Sequence, residues 1–251
     1  MPYAVAMAGK GGTGKTTIAG FLIRYLVQKG KTPILAVDAD SNTNLNQVLG
    51  VPLKATLGTA REEMKEGLVK QGITKQMFME MKLAEAIAEG EGFDLIAMGR
   101  PEGPGCYCAA NNLLSMYLEQ LIANYPYMVM DNEAGMEHIS RLTTDNVDVL
   151  LVVSDPSMRG IEAAGRINTL VDELRVKAVK RFLIVNQARD GLAEPLREAV
   201  VKHGLTLAGT IPKDDLLYDY DMQGTPTIDL PAENPALSAA FDIFDKIIEG
   251  E

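Results

Sequence analysis

The sequence predicts an α/β fold: a mostly parallel sheet of about seven strands covered by helices on both faces, in a single domain. Two observations carry this. Short apolar, β-rich runs alternate with longer amphipathic stretches along the whole chain, and the apolar runs are continuous, as in strands buried on both faces. A third agrees: 251 residues is within the range of one large core, and residues 1–251 are read as one domain.

The strands are expected at Tyr3–Ala8, Pro33–Val37, Phe93–Met98, Tyr127–Met130, Val147–Val153, Arg181–Val185 and Leu207–Ile211. Helical periodicity marks Thr16–Gln28, Asn111–Ala123, Met158–Leu174, Ala193–His203 and a closing Pro235–Ile248. The charged stretch Lys54–Gly90 is the least strand-like, and a helical insertion is expected over 54–90.

Composition narrows the function. Hydrophobic residues are 47% and charged residues 23%, an ordinary globular balance, and the net charge is −10. Holding DNA or RNA requires a basic face, so no nucleic-acid partner is expected. No apolar run approaches the ~20 residues of a membrane span. The first residues lack a basic leader and cleavage site, and the expected location is the cytoplasm. There two cysteines are thiols or metal ligands rather than a structural disulfide.

Gly9-Lys10-Gly11-Gly12-Thr13-Gly14-Lys15-Thr16 fits G-x-x-x-x-G-K-[ST] between an apolar strand and a helix. The glycines let backbone N–H groups converge on phosphate oxygens at a helix N-terminus. Gly11, Gly12, Thr13, Gly14, Lys15, Thr16 and Thr17 are the expected nucleotide contacts. Lys15 places an ammonium on the β- and γ-phosphates, and Thr16 offers a hydroxyl to Mg²⁺. The bland alternative is a Gly-rich turn before a helix.

Lys10 is not needed by a generic P-loop. With it the segment resembles the deviant Walker-A ATPases, the MinD/ParA and nitrogenase iron protein group (SIMIBI), whose pattern is K-G-G-x-G-K-[ST]. The resemblance implies ATP and Mg²⁺ as cofactors, hydrolysis of ATP to ADP and phosphate, and a homodimer in which Lys10 reaches the partner's nucleotide. It assigns Asp40, in Asp38-Ala39-Asp40, to orienting the attacking water, beside catalytic Lys10 and Lys15. Asp131-Asn132-Glu133-Ala134-Gly135 looks like its D-x-x-x-G switch, with Gly135 sensing the γ-phosphate. Thr16, Asp38 and Asp131 form the expected Mg²⁺ set, although any one aspartate at a strand end also suits a helix cap. Asn186 and the loop Pro212-Lys213-Asp214 look like base contacts. The absence of N-K-x-D favours ATP over GTP.

The cysteines, Cys106 and Cys108, share one Gly/Pro-rich loop, residues 99–112. Two thiolates are half of a four-sulfur site, and a two-fold dimer supplies the rest. Buried small hydrophobes or a redox pair are the alternatives. Gly99-Arg100-Pro101-Glu102-Gly103-Pro104-Gly105-Cys106-Tyr107-Cys108 closely resembles the cysteine loop of the CooC subgroup, ATPases that mature nickel carbon monoxide dehydrogenases. That resemblance implies Ni²⁺, with Zn²⁺ able to take the same site. It implies as partner an apo carbon monoxide dehydrogenase or a related nickel enzyme. The rival readings are a MinD/ParA-like positioning ATPase and an Fe–S electron-transfer ATPase like nitrogenase iron protein. The acidic final segment, Phe241–Glu251, opposes membrane attachment. His138 and His203 are expected as surface or satisfied core residues, and the thirteen methionines as core filler.

Overall fold

The computed structural model describes residues 2–65, 72–99, 116, 118–132, 146–173, 177–189 and 191–250. Among them, eight strands form one sheet: β1 (Tyr3–Gly9), β2 (Ile34–Asp38), β3 (Ile87–Glu89), β4 (Phe93–Ala97), β5 (Tyr127–Asp131), β6 (Asn146–Ser154), β7 (Lys177–Ala188) and β8 (Leu207–Pro212). The order is β3-β4-β2-β5-β1-β6-β7-β8. Only β3 runs antiparallel, against β4.

The expected α/β architecture is present, and the alternation along β1 shows how it is built. Ala4, Ala6 and Ala8 join one apolar cluster, whereas Val5 and Met7 join the other on the opposite face. The second cluster holds α1 (Lys15–Gln28), the short α2 (Leu45–Leu49) and α8 (Pro235–Phe244). The first holds α3 (Leu57–Lys65), α4 (Lys75–Ala86), the helical residues 118–122, α5 (Met158–Glu173) and α6 (Glu194–Lys202). Small alanines on one face of β1 leave room for Ile161 and Ala164 of α5 in that cluster.

Three elements depart from the expectation. β3 is a three-residue edge strand, too short for any periodic signal, and it makes the sheet eight-stranded. β7 begins at Lys177 instead of Arg181. Its first residues pair with β6 alone, because the pairing with β8 opens only at Leu183. α7 (Asp215–Gln223) was not expected. It is capped by Asp214 and closed by left-handed Gly224; none of its residues is fully buried, and only Leu217 and Tyr220 pack against the second cluster, a short and partly exposed apolar signal.

The methionines also differ. Met7, Met79, Met128 and Met130 fill the core, but Met77, Met81, Met116, Met158 and Met222 are exposed, the last by 70%. His203 ends α6 and lies against Gly165 of α5, as a packed residue would.

The site is placed by topology. From β1 the chain goes to β2 on one side of the sheet and later to β6, β7 and β8 on the other. Such a switch point opens a crevice at the carboxyl ends of the strands.

Candidate nucleotide site

β1 delivers the chain to this crevice at Gly9. A Cβ there would lie 2.3 Å from the Val153 carbonyl oxygen of β6, so only glycine permits the approach. Gly12 and Gly14 have φ of 78° and 90°, the left-handed conformation that other residues adopt at a cost. The loop is then closed by its own side chains. The Thr13 hydroxyl donates to the Lys10 carbonyl at 2.9 Å. Lys15 folds back, its Nζ donating to the carbonyls of Gly9 and Lys10 at 3.2 and 3.3 Å.

Gly14 begins α1, and no side chain caps the helix; its first turn carries no acidic residue. The first N–H groups of an α-helix have no partners within it, and the helix dipole adds positive potential there. An uncapped N-terminus with a buried lysine beside it suits a phosphate group.

The carboxylates converge on the same place from the neighbouring strands. Asp131, at the end of β5, is in register with Met7 of β1 on one side and Asp38 of β2 on the other. Only 1% of Asp131 is exposed, and its Oδ1 has no hydrogen-bond partner among the described residues. Burial pushes its carboxyl up to about 7; the Thr16 hydrogen bond and the Lys15 charge pull it down, and the Asp38 charge pushes it further up. A buried, unpartnered carboxylate oxygen beside a threonine hydroxyl suits a hard divalent cation, which takes oxygen ligands.

Asp38 is held by backbone donors. Its Oδ1 accepts from the Asp40 backbone N–H and its Oδ2 from that of Leu45, both at 3.0 Å. It therefore ties down the turn after β2. Burial raises its carboxyl to about 6, against those two hydrogen bonds. Asp40 lies at the rim, half-buried, its Oδ1 accepting from the Asn42 N–H at 2.8 Å. Lys10, Gly11 and Gly12 are exposed, Thr13 is buried, and Thr16 and Thr17 are half-buried at the start of α1.

The expected base contacts also bond within the protein. Asn186 is buried and its amide is directed into the P-loop. Asp214 is the cap of α7: its Oδ1 accepts from the Leu217 N–H at 2.7 Å and from Asn234 Nδ2 at 2.9 Å. Pro212 ends β8 beside Ala188. Asn132 was overlooked: it is buried, and its Nδ2 donates to the Met7 carbonyl at 2.8 Å, joining the end of β5 to β1. The only hint in the sequence was its place next to Asp131. Gly135, Cys106, Cys108 and His138 lie outside the described residues.

A family model described as the CobQ/CobB/MinD/ParA nucleotide binding domain matches residues 4–228, from the second residue of β1 to beyond β8. The chain belongs to that CobQ/CobB/MinD/ParA family. Among its relatives, an uncharacterized ATP-binding protein of Methanocaldococcus jannaschii is 40% identical, covering 97% of this chain and 98% of that one. The carbon monoxide dehydrogenase accessory protein CooC of Rhodospirillum rubrum is 30% identical, covering 90% and 89%. A solved MinD from Pyrococcus horikoshii, complexed with Mg-ADP, superposes with a TM-score of 0.71 at 19% identity, covering 99% and 97%. At the level shared across the family, the chain is a nucleotide-binding ATPase of MinD/ParA type. Among its described residues no helix is long and apolar enough to cross a membrane.

Proposed function

We propose that this chain hydrolyses ATP with Mg²⁺ as a nucleotide-dependent cytoplasmic homodimer, and that it serves as a nickel-delivering accessory of a carbon monoxide dehydrogenase or related nickel enzyme. The observation that supports the hydrolytic part is the buried Asp131 carboxylate with its unpartnered Oδ1, set beside Thr16 and Lys15 at the uncapped start of α1.

In this reading Gly11 to Thr17 bind the phosphates and Lys15 balances their charge. Thr16 and Asp131 hold Mg²⁺, which supplies charge neutralisation at the phosphates. Asp38 supports that pair from behind by fixing the turn that carries Asp40. Asp40, at the solvent rim, orients the attacking water, and Gly135 follows the γ-phosphate. Lys10, exposed on the loop, reaches the partner protomer's nucleotide. Titration with ATP in Mg²⁺ and in excess chelator tests this core. Affinity should fall without Mg²⁺, and Asp131→Asn should lose the Mg²⁺ dependence. An Asp131→Asn variant with wild-type Mg²⁺ dependence would remove the assignment.

Nickel is cargo here, and the reading of it draws on two facts. Cys106 and Cys108 stand in a loop sequence close to that of the CooC subgroup, and a relative named CooC is 30% identical over nearly the full length. Two copies would bring four thiolates to one ion. The competing reading, a positioning ATPase, is favoured by relatives such as the septum site-determining protein MinD of Thermotoga maritima, 26% identical over 98% of this chain. Nickel binding that depends on both cysteines separates the two, since positioning needs no thiolate site.

A further inference from the structure

We propose that the outer edge of β7 over residues 177–182 is a docking site for an extended acidic segment of a partner protein, which adds to the sheet as a further strand beside the start of β8. This edge lies at the amino ends of the strands, away from the nucleotide crevice at their carboxyl ends.

β8 covers only part of β7. On one side β6 pairs with β7 from Lys177 onward, whereas on the other the pairing with β8 opens at Leu183, opposite Leu207. The Leu183 N–H donates to the Thr206 carbonyl at 2.7 Å, so it faces the β8 side. Alternate residues of a strand turn their backbone groups the same way, and Val179 and Arg181 therefore direct N–H and C=O to that side too. No described residue pairs with them there. A row of such groups is a template for another strand.

The edge opens into a groove of about 390 Å³, lined by Asn168, Ala178, Val179, Arg181, Leu205 and Thr206. β7 is anchored to α5 just where β8 is absent. Arg181 Nη1 donates to the Asn168 carbonyl at 3.3 Å, and Nη2 pairs with Asp172 at 2.7 Å. A docking segment meets an edge already fixed, so little ordering of β7 opposes binding. Val179 is 75% exposed, and this β-branched side chain offers an incoming apolar residue a cross-strand neighbour.

Charge selects the occupant. Lys177, Lys180 and Arg181 are basic, and no acidic residue occurs from 176 to 189, in a chain whose net charge is −10. Two copies of this edge paired together would set basic residues against basic residues, and like charges across strands are destabilising. Lysines on an edge guard against self-pairing in this way. The same residues favour a strand that carries glutamate or aspartate. A nucleic acid would answer the charge but offers no alternating amide donors and acceptors at strand spacing, and strand addition draws its affinity from main-chain hydrogen bonds.

The test is fluorescence anisotropy of a labelled eight-residue peptide, alternating valine and glutamate, with the full chain. Its alternation places all the glutamates on one face, where Lys180 can meet them, and all the valines on the other. Saturable binding is expected. N-methylation throughout keeps the charges, removes every amide donor and should weaken binding at least about tenfold. A valine–lysine peptide should not bind. Val179→Pro removes a donor that faces away from β6, and it should weaken the valine–glutamate peptide roughly fivefold to tenfold. Lys180→Glu should weaken that peptide as well and admit the valine–lysine one. An unchanged melting temperature shows that each variant folds; should Val179→Pro not fold, Lys180→Glu and the N-methylated peptide decide. No saturable binding by the wild-type chain would overturn the proposal. Equal affinity for the N-methylated peptide would overturn it in favour of charge attraction alone, as at a nucleic-acid surface. A dimer formed without peptide and dissolved by Val179→Pro would overturn it in favour of a second copy.

Discussion

Asp38 and Asp131 are register partners at the carboxyl ends of the adjacent parallel strands β2 and β5, and both carboxyl groups are buried. Asp38 satisfies its oxygens with backbone N–H groups from the turn it holds, and Asp131 keeps Oδ1 unpartnered among the described residues. Burial is the largest cause of both raised proton affinities; the Asp40 charge adds to that of Asp38, and the Asp38 charge adds to that of Asp131.

The first prediction concerns pH. Both carboxyls are raised in the folded protein, to about 6 and about 7, from an ordinary value of 3.8. A raised acid binds its proton more tightly in the folded state than in the unfolded one. Its stabilising effect is complete below the unfolded value and is lost as pH climbs through the folded value. The ligand-free protein should therefore lose stability between about pH 4 and pH 8, by roughly 3 kcal/mol for Asp38 alone and roughly 4 kcal/mol for Asp131 alone. Asp131→Asn should flatten part of that slope and stabilise the ligand-free chain near pH 8. Denaturant unfolding across the range checks it; identical slopes for wild type and variant would refute it.

Lys15 and Asp40 should separate binding from turnover. Lys15→Ala removes the phosphate ammonium and also frees the carbonyls of Gly9 and Lys10, so ATP affinity should drop roughly 10–100-fold. Asp40→Ala, at the rim, should bind ATP normally and accumulate an ATP-bound dimer with turnover lost. Normal hydrolysis by Asp40→Ala would show that another group orients the water.

Lys10 contributes its carbonyl to the loop, accepting from Thr13 and Lys15, while the residue itself is exposed. Lys10→Ala keeps the carbonyl. Nucleotide binding by the monomer should survive within about twofold, whereas the dimer fraction with ATP and Mg²⁺ should fall. Sedimentation velocity decides the matter, and an unchanged dimer fraction would end the role across the interface.

The loop glycines should rank by clearance. Gly12→Ala meets nothing within 4 Å and bears only the left-handed strain, about 1 kcal/mol. Gly9→Ala would drive a Cβ into the Val153 backbone and part β1 from β6, so its melting temperature should fall much further. Equal melting temperatures for the two variants would contradict this packing.

For the cysteines, Cys106→Ser or Cys108→Ser should lose tight Ni²⁺ and Zn²⁺ binding while ATP binding persists. Wild-type stoichiometry should be one ion per dimer, with affinity declining as pH falls below the thiol range. Equilibrium dialysis with light scattering measures both. Undiminished metal binding by both variants would exclude the thiolate site.

The sequence by itself determined whatever is local. The P-loop was legible because Gly9 to Thr16 are contiguous and their chemistry is written in neighbouring residues. The sheet was legible because continuous apolar runs force burial on both faces, and Asp38 and Asp131 could be picked out as acids at strand ends. What it could not reveal depends on residues far apart in the chain. β3 exists because β4 offers an edge to only three residues, which have no pattern of their own. Asp214 and Asn186 stand out in sequence only as polar residues after strands. Their partners, Asn234 and Thr13, become visible only when the chain has folded. Which backbone a polar side chain braces is a matter of which buried donor or acceptor lies within 3 Å or so of it. That distance is set by tertiary packing, by the course of β7 and the cap of α7, rather than by the residue or its neighbours.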